Sequence, residues 1–321
     1  MKYIIFGGSG FIGTHLVQIL KVSNINAEIY NFDIVENNHE GKSIYVYCDV
    51  KKKINVNFSF GEEDVIFNFA AIHRTPGHPD YAYFETNMLG AENVCKFAGK
   101  HQIKKIIFTS SIAPYGAAEE MKEESTLLTP NTPYGISKQV ACKTHQIWQA
   151  SDPSRELTIL RPGVVFGKGE NGNFTRLYWG IKSHTFFYPG RKDTIKAAIY
   201  VKDLVHFMLY KIENHKKGTE IFNCTYEPAY SIGEIVETMS QVTGLTAPKL
   251  VINGKLLKVI ATIIGFLGGG RFGIHPDRVK KLMISTNICG KNLAKSGYNY
   301  KYNLETAIQD WYADNDNLFL K

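Results

Sequence analysis

Tyr134 and Lys138 stand four residues apart in the segment Tyr134-Gly135-Ile136-Ser137-Lys138, a spacing that puts both side chains on one face of a helix. Upstream, the apolar run Ile106 to Thr109 ends in Ser110-Ser111, followed by Tyr115-Gly116. A free tyrosine has a pKa near 10, and drawing it to about 7 takes roughly 4 kcal/mol of preferential stabilisation of the phenolate. A neighbouring ammonium supplies part of that. Tyr134 could then exchange a proton with a substrate hydroxyl while Ser111 orients the same oxygen and a hydride passes to a cofactor. Alone, such a tyrosine-lysine pair is more often surface decoration on a helix, so its meaning depends on a cofactor signal elsewhere.

That signal lies at the N-terminus. Gly7-Gly8-Ser9-Gly10-Phe11-Ile12-Gly13 comes directly after the apolar run Tyr3 to Phe6 and directly before the amphipathic stretch Phe11 to Val22. Glycines between a strand and a helix allow a tight turn, close approach of backbone to a pyrophosphate, and close helix-strand packing, while the helix start offers unpaired N–H groups. Asp33 follows at the end of the second strand, about 20 residues past the last glycine. A carboxylate there accepts from the adenosine ribose hydroxyls and repels a 2′-phosphate, which favours NAD over NADP. Gly7, Gly10, Phe11, Ile12, Gly13 and Asp33 are therefore candidate cofactor-binding residues. With a dinucleotide in place, Ser111, Tyr134 and Lys138 become a candidate redox centre, the positive nicotinamide ring adding to the stabilisation of the phenolate.

These residues need a scaffold, and the pattern supplies one. Tyr3 to Phe6, Ala27 to Phe32, Ile44 to Tyr47, Val65 to Phe69, Ile106 to Thr109 and Leu157 to Leu160 read as strands, with helices over Phe11 to Val22, Tyr81 to Lys100 and Tyr134 to Ala150. Nearly continuous apolar strands alternating with helices predict an α/β fold, a Rossmann-type doubly wound parallel sheet. After Arg161-Pro162 the pattern loosens, then returns over Ile199 to Tyr210 and Glu220 to Cys224. Residues 1–167 and 197–226 are thus expected to form the NAD-binding domain. Residues 168–196 and 227–321 are expected to form a smaller C-terminal α+β substrate-binding cap over the sheet's C-terminal edge, where open α/β sheets bind ligands.

At 321 residues with 44% hydrophobic and 21% charged content the chain can bury a real core. Its net charge of +7 is spread as short runs such as Lys51 to Lys53 and Lys280/Lys281, which reads as a solvated surface and argues against nucleic acid as a partner. The excess suits an anionic substrate such as a diphosphate. Five scattered cysteines, with no C-x-x-C pair, suggest reduced thiols and no metal site. The run Tyr3 to Phe6 ends at once in glycines, so no signal region is expected and the protein reads as cytoplasmic. The apolar stretch Leu256 to Leu267 is too short to cross a bilayer.

The motifs together resemble the extended short-chain dehydrogenase/reductase family, of the NAD-dependent epimerase/dehydratase type that acts on sugar diphosphates. Beyond the glycine turn and the Ser/Tyr/Lys set, the matching residues are Cys48-Asp49-Val50, Asn68-Phe69-Ala70-Ala71, Asn87 with Gly90 and Asn93, Arg161 to Gly167, and Tyr200-Val201-Lys202-Asp203-Leu204. The resemblance implies that Asp49 and Val50 meet the adenine end of NAD, and that Ala70, Ala71, Asn87 and Lys138 also contact the cofactor. It implies a homodimer through the helices Tyr81 to Lys100 and Tyr134 to Ala150.

Dehydratases of the family carry an Asp-Glu pair directly after the hydroxyl residue, where this chain has Ile112-Ala113. A nonpolar pair cannot remove water by acid and base, so 4-epimerisation or reduction of a 4-keto sugar remains, the reductase commonly with NADPH. A scaffold that has lost catalysis and merely senses NAD would lack the tyrosine or lysine, and both are present. Ala70-Ala71-Ile72-His73-Arg74, the Arg161 motif with Gly172-Asn173, and Arg278-Val279-Lys280-Lys281 are similar to bacterial 4-epimerases of N-acetylhexosamines attached to UDP or undecaprenyl diphosphate. By that resemblance Asn173, Lys196 and Arg278 would surround the diphosphate, Arg74 is a further candidate, and Ser111 touches the sugar. For Arg191 and Lys192 surface ion pairs are expected. With a lipid carrier, Leu256 to Leu267 would rest on the membrane surface.

Overall fold

The computed structural model describes residues 1–73, 77–116, 118–254 and 283–321. In chain order the strands are β1 (Lys2–Phe6), β2 (Glu28–Asp33), β3 (Ile44–Tyr47), β4 (Val65–Asn68), β5 (Lys105–Thr109), β6 (Ala118–Lys122), β7 (Glu156–Pro162), β8 (Val164–Phe166), β9 (Tyr188–Pro189), β10 (Ala198–Tyr200), β11 (Gly218–Cys224), β12 (Val251–Ile252) and β13 (Thr286–Ile288). The helices are α1 (Phe11–Ser23), α2 (Asp80–Tyr83), α3 (Gly90–Lys100), α4 (Pro133–Ala150), α5 (Asn173–Lys182), α6 (Val201–Glu213), α7 (Ile232–Thr243), α8 (Lys291–Ala294) and α9 (Leu304–Ala313).

Seven strands form one sheet in the order β11-β7-β5-β4-β1-β2-β3, every pairing parallel. The chain starts at β1 in the middle, winds outward through β2 and β3, then crosses back to β4. The strand order therefore reverses between β1 and β4, the place where such sheets open a ligand crevice. Alternation along β1 explains the two-sided core: Ile4 and Phe6 join Phe32, Phe97, Phe108 and Trp148 on one face, while Ile5 joins Leu16, Val17, Ile107 and Phe207 on the other. A third cluster, centred on Phe166, Phe174, Tyr178, Tyr188, Tyr200 and Trp311, lies where α5, α7 and α9 meet β8 and β10. Stacked rings of Phe166 and Phe174, 4.3 Å apart, anchor α5 there.

One helix was expected from Tyr81 to Lys100, and the structure divides it. Between α2 and α3 the residues Phe84–Leu89 wind as a π-helix. A π turn takes in an extra residue and rotates the side chains that follow. Asn87, within it, is turned inward and buried.

Candidate active site

Backbone packed on backbone builds the glycine turn. Gly7 has φ +79°, and a Cβ there would sit 2.7 Å from the Ala70 nitrogen. A Cβ on Gly13 would sit 2.5 Å from both Cα and O of Gly8. Either position admits glycine alone without moving β1, α1 or the end of β4. Gly13→Ala should therefore lower stability by about 1–3 kcal/mol through overpacking and strip the protein of dinucleotide. Thermal unfolding and the nucleotide released on denaturation measure both, and a variant that keeps its cofactor would refute the packing argument.

The start of α1 fits the pyrophosphate of NAD. Gly10 is its N-cap, no side chain caps it, and no acidic residue lies in its first turn, so the first N–H groups, those of Phe11 and Ile12 among them, are left for an anion. Asp33 stands beside the turn, one carboxylate oxygen accepting from the Ser9 N–H at 3.0 Å and the other from the Val35 N–H at 3.0 Å. Asp49 accepts from the Lys51 N–H. The Val50 side chain fills the gap above Gly90, and its carbonyl accepts from Asn93 at 2.8 Å. Ala70 and Ala71 continue from β4 across the turn, partly exposed. Asn87 spends its amide inside the protein: Oδ1 accepts from the Ile72 N–H at 2.9 Å, and Nδ2 donates to the Ile72 carbonyl at 3.1 Å and the Ser137 hydroxyl at 2.9 Å. It ties the loop after β4 to α4.

Local sequence also places Tyr134, Lys138 and Ser111. Thr132 caps α4, its hydroxyl accepting from the Gly135 N–H at 3.1 Å, and Pro133 occupies the first turn where no N–H is needed. Tyr134 therefore lies in that first turn, in the positive end of the helix dipole, and Lys138 lies one turn on. Ser111, just past β5, accepts from the Ala113 N–H at 3.1 Å and its hydroxyl hydrogen-bonds that of Tyr134. Burial raises the Tyr134 pKa above 10.0, and the Ser111 hydrogen bond opposes it. Lys138 is 2% exposed. Its ammonium donates to the Thr109 carbonyl at 2.7 Å and sits 4.4 Å from the Phe108 ring centroid, and burial pushes its pKa down to about 8. The structure thus brings Ser111, Tyr134 and Lys138 together at the C-terminal end of β5, on the same edge of the sheet as the glycine turn.

The substrate candidates are more dispersed. Asn173 is exposed at the first residue of α5, its side-chain Oδ1 accepting from the Arg176 guanidinium at 3.0 Å. The Lys196 ammonium donates to the Ile284 carbonyl at 2.8 Å, and burial pushes its pKa down to about 8. Near it opens a cavity of about 450 Å³ lined by Glu119, Gly190, Arg191, Asn253 and Met283. Arg191 pairs with Glu119 at 2.6 Å and Asp193 at 3.5 Å, as expected. Lys192 lies over the Tyr188 ring, 4.9 Å from its centroid, and among the described residues this cation-π contact takes the place of the expected ion pair. Arg74, Arg278 and the apolar stretch Leu256 to Leu267 lie outside the described residues.

What sequence reasoning missed is the floor of the site. Phe108, Asn68 and His145 lie beneath Lys138, all buried. A helical signal was available for His145, two turns after Lys138 on the same face, but nothing in the sequence pairs it with β4. Among the described residues no group of His, Cys, Asp and Glu side chains could hold a metal, and the five cysteines are buried free thiols.

A profile of the NAD dependent epimerase/dehydratase family matches residues 3–225. The chain belongs to that family. Among its relatives within the family is the N-acetyl-alpha-D-glucosaminyl-diphospho-ditrans,octacis-undecaprenol 4-epimerase of Escherichia coli O157:H7, 29% identical over 95% of this chain and 92% of the relative. The UDP-glucose 4-epimerase of Lactobacillus helveticus is 25% identical over 77% of this chain and 83% of its own. The fold is shared with a UDP-N-acetylglucosamine 4-epimerase from Bacillus cereus, at a TM-score of 0.72, 18% identity and 98% coverage of both chains. It is also shared with the UDP-glucuronic acid 4-epimerase of Bacillus cereus, at a TM-score of 0.73, 18% identity, 99% of this chain and all of the other. The NAD dependence of the family agrees with a turn that leaves an uncapped helix start beside Asp33.

Proposed function

We propose that the protein is an NAD-dependent 4-epimerase of a sugar diphosphate, an N-acetylhexosamine carried on UDP or undecaprenyl diphosphate, acting in the cytoplasm in bacterial surface polysaccharide synthesis. One observation carries this reading: the Ser111 and Tyr134 hydroxyls hydrogen-bond each other and the Lys138 ammonium reaches the end of β5, all on the sheet edge that carries the glycine turn, and the residue after Ser111 is Ile112, where a dehydratase needs an acid. The curated relatives with named 4-epimerase activity support it.

Tyr134 takes the proton of the sugar C4 hydroxyl as C4 is oxidised, and returns it to the C4 oxygen after the keto sugar has turned over. Ser111 holds that oxygen by hydrogen bonding and Lys138 stabilises the phenolate. When bound, NAD would supply reversible hydride acceptance from C4, with no net redox change over a turnover. Gly7, Gly10, Phe11, Ile12, Gly13, Asp33, Asp49, Val50, Ala70 and Ala71 would hold the dinucleotide, with Asn87 fixing the loop that carries the last two. Residues 168–196 and 227–321 would form the substrate cap, with Asn173, Lys196, Arg74 and Arg278 facing the diphosphate. Purified protein given UDP-N-acetylglucosamine and no added cofactor should form the C4 epimer without net NADH, and the nucleotide released on denaturation should be NAD. A stoichiometric requirement for NADPH would overturn the epimerase in favour of a 4-keto reductase.

The low pKa of Lys196 gives this reading a pH signature. Its cation is present below about pH 8 and lost above it, so KM for the diphosphate substrate should rise as pH passes 8. Lys196→Arg, which stays charged, should flatten that rise, and an unchanged profile would take Lys196 out of the substrate site. A homodimer is part of the same proposal. Ile136 and Ile147 on α4 and Met88 and Tyr81 beside them are exposed by 38, 70, 38 and 64%, an apolar stripe that a second copy would cover. Ile147→Glu should shift the protein to monomer in light scattering, and a persistent dimer would place the contact elsewhere.

A further inference from the structure

Beneath the proton-transfer pair is a polar contact that the reaction does not use. Asn68, the last residue of β4, donates from Nδ2 to Nε2 of His145 at 3.2 Å. The other ring nitrogen lies 2.8 Å from the Ala141 carbonyl. A carbonyl only accepts, so Nδ1 carries the proton and Nε2 offers its lone pair to the amide. The tautomer is fixed by its surroundings. His145 is wholly buried, and its ring stacks on Phe108 at 4.0 Å and 14°, the same ring that the Lys138 ammonium approaches at 4.4 Å. Burial, then the nearby Lys138 charge, keep the imidazole neutral, with its pKa pushed down to about 4.

The cost of this contact shows that it is not filler. Asn68 sits in an otherwise apolar strand, 2% exposed, and its Oδ1 is buried with no hydrogen-bond partner. An apolar residue of similar size would leave no such orphan. What the amide gains is a bond across two elements. β4 leads into Phe69-Ala70-Ala71, whose backbone lies against Gly7 of the cofactor turn; α4 carries Tyr134 and Lys138. With Asn87, whose amide joins the loop after β4 to the first turns of α4, it is one of the polar ties, among the described residues, between the cofactor side and the proton-transfer helix.

We propose that Asn68 and His145 are positioning residues, a buried hydrogen-bonded pair that sets α4 against the cofactor edge and fixes the Phe108 plane on which the Lys138 ammonium rests. Misplacement of reacting groups by about 1 Å is enough to cost orders of magnitude in rate, and a displaced ammonium raises the pKa of the phenolate it stabilises. This rests on the role given to Tyr134 and Lys138 above, but not on which sugar is turned over.

Asn68→Leu and His145→Phe each break the bond while keeping the volume, and His145→Phe keeps the ring stack. In the NAD-loaded protein each should lower kcat for UDP-N-acetylglucosamine about tenfold with KM changed less than about twofold. Each should raise the pKa of Tyr134 by about one unit, a tenfold loss of phenolate, read as tyrosinate absorbance against a Tyr134→Phe control. Because both variants remove one bond, the double variant should be no worse than either single one. Wild-type protein inert on that sugar would refute the substrate reading and leave the tyrosinate titration to decide this one. An unshifted tyrosinate pKa in both variants, or additive losses in the double variant, would overturn the proposal.

Discussion

Tyr134→Phe is expected to lower kcat by about a thousandfold or more while shifting the thermal midpoint by no more than a few degrees. The substitution removes one hydroxyl whose hydrogen-bond partner, Ser111, also accepts from the Ala113 N–H, so little packing is lost. The ring stays edge-on to Tyr83, 6.2 Å away. What disappears is the hydroxyl proposed to take and return the C4 proton, and positioned general acid-base groups are worth roughly 10²–10⁴ in rate. NAD content should be unchanged, which separates loss of chemistry from loss of cofactor. Turnover within tenfold of wild type would show that another group moves the proton, and the assigned centre would fall.

Lys138→Met is expected to produce an enzyme that is more stable and nearly dead. Burial pushes the Lys138 pKa from 10.5 down to about 8, which means the folded protein holds this ammonium at a cost. Between about pH 8 and 10 the unfolded chain keeps a proton on this lysine that the folded chain has released. Stability therefore rises with pH through that window, and Lys138→Met should remove this side chain's share of the slope. Near pH 7 the methionine escapes the desolvation cost, a gain on the order of 1–3 kcal/mol less the lost bond to the Thr109 carbonyl. Activity should fall by about 10²–10³, because the proposed phenolate loses the cation assigned to stabilise it. Calorimetry without added nucleotide and steady-state turnover test the two halves. A variant both less stable and fully active would overturn the account of this lysine.

Both expectations concern residues legible in the sequence, and the reason lies in local periodicity. A helix fixes what residues four apart share, so Tyr134 and Lys138 had to meet on one face of α4. A strand-turn-helix with glycines in register constrains itself within about a dozen residues, so the turn and its neighbour Asp33 were readable from the sequence. All six strands read from apolar runs in the first half are present in the sheet; the central ones are apolar throughout because they are covered on both faces, while the edge strand β3 leaves Ile44 and Tyr47 exposed.

The π turn at Phe84–Leu89 was not legible. Its extra residue is held by Asn87 reaching Ile72 and Ser137, contacts made across the fold and invisible to a helical pattern. Lys196 was chosen by its place in a motif, yet its bond to Ile284 and its lowered pKa come from a segment some ninety residues away.

By itself, then, the amino-acid sequence determined the parallel sheet, the strand-turn-helix with its glycines and the helical spacing of Tyr134 and Lys138, since each is written in contacts a few residues apart. The tertiary structure decided their state. Burial of Lys138 against Phe108, its bond to the Thr109 carbonyl, and the Asn68–His145 contact beneath it join β4, β5 and α4, elements up to 77 positions apart. Desolvation and hydrogen bonding between such elements set pKa values, and no local pattern encodes them.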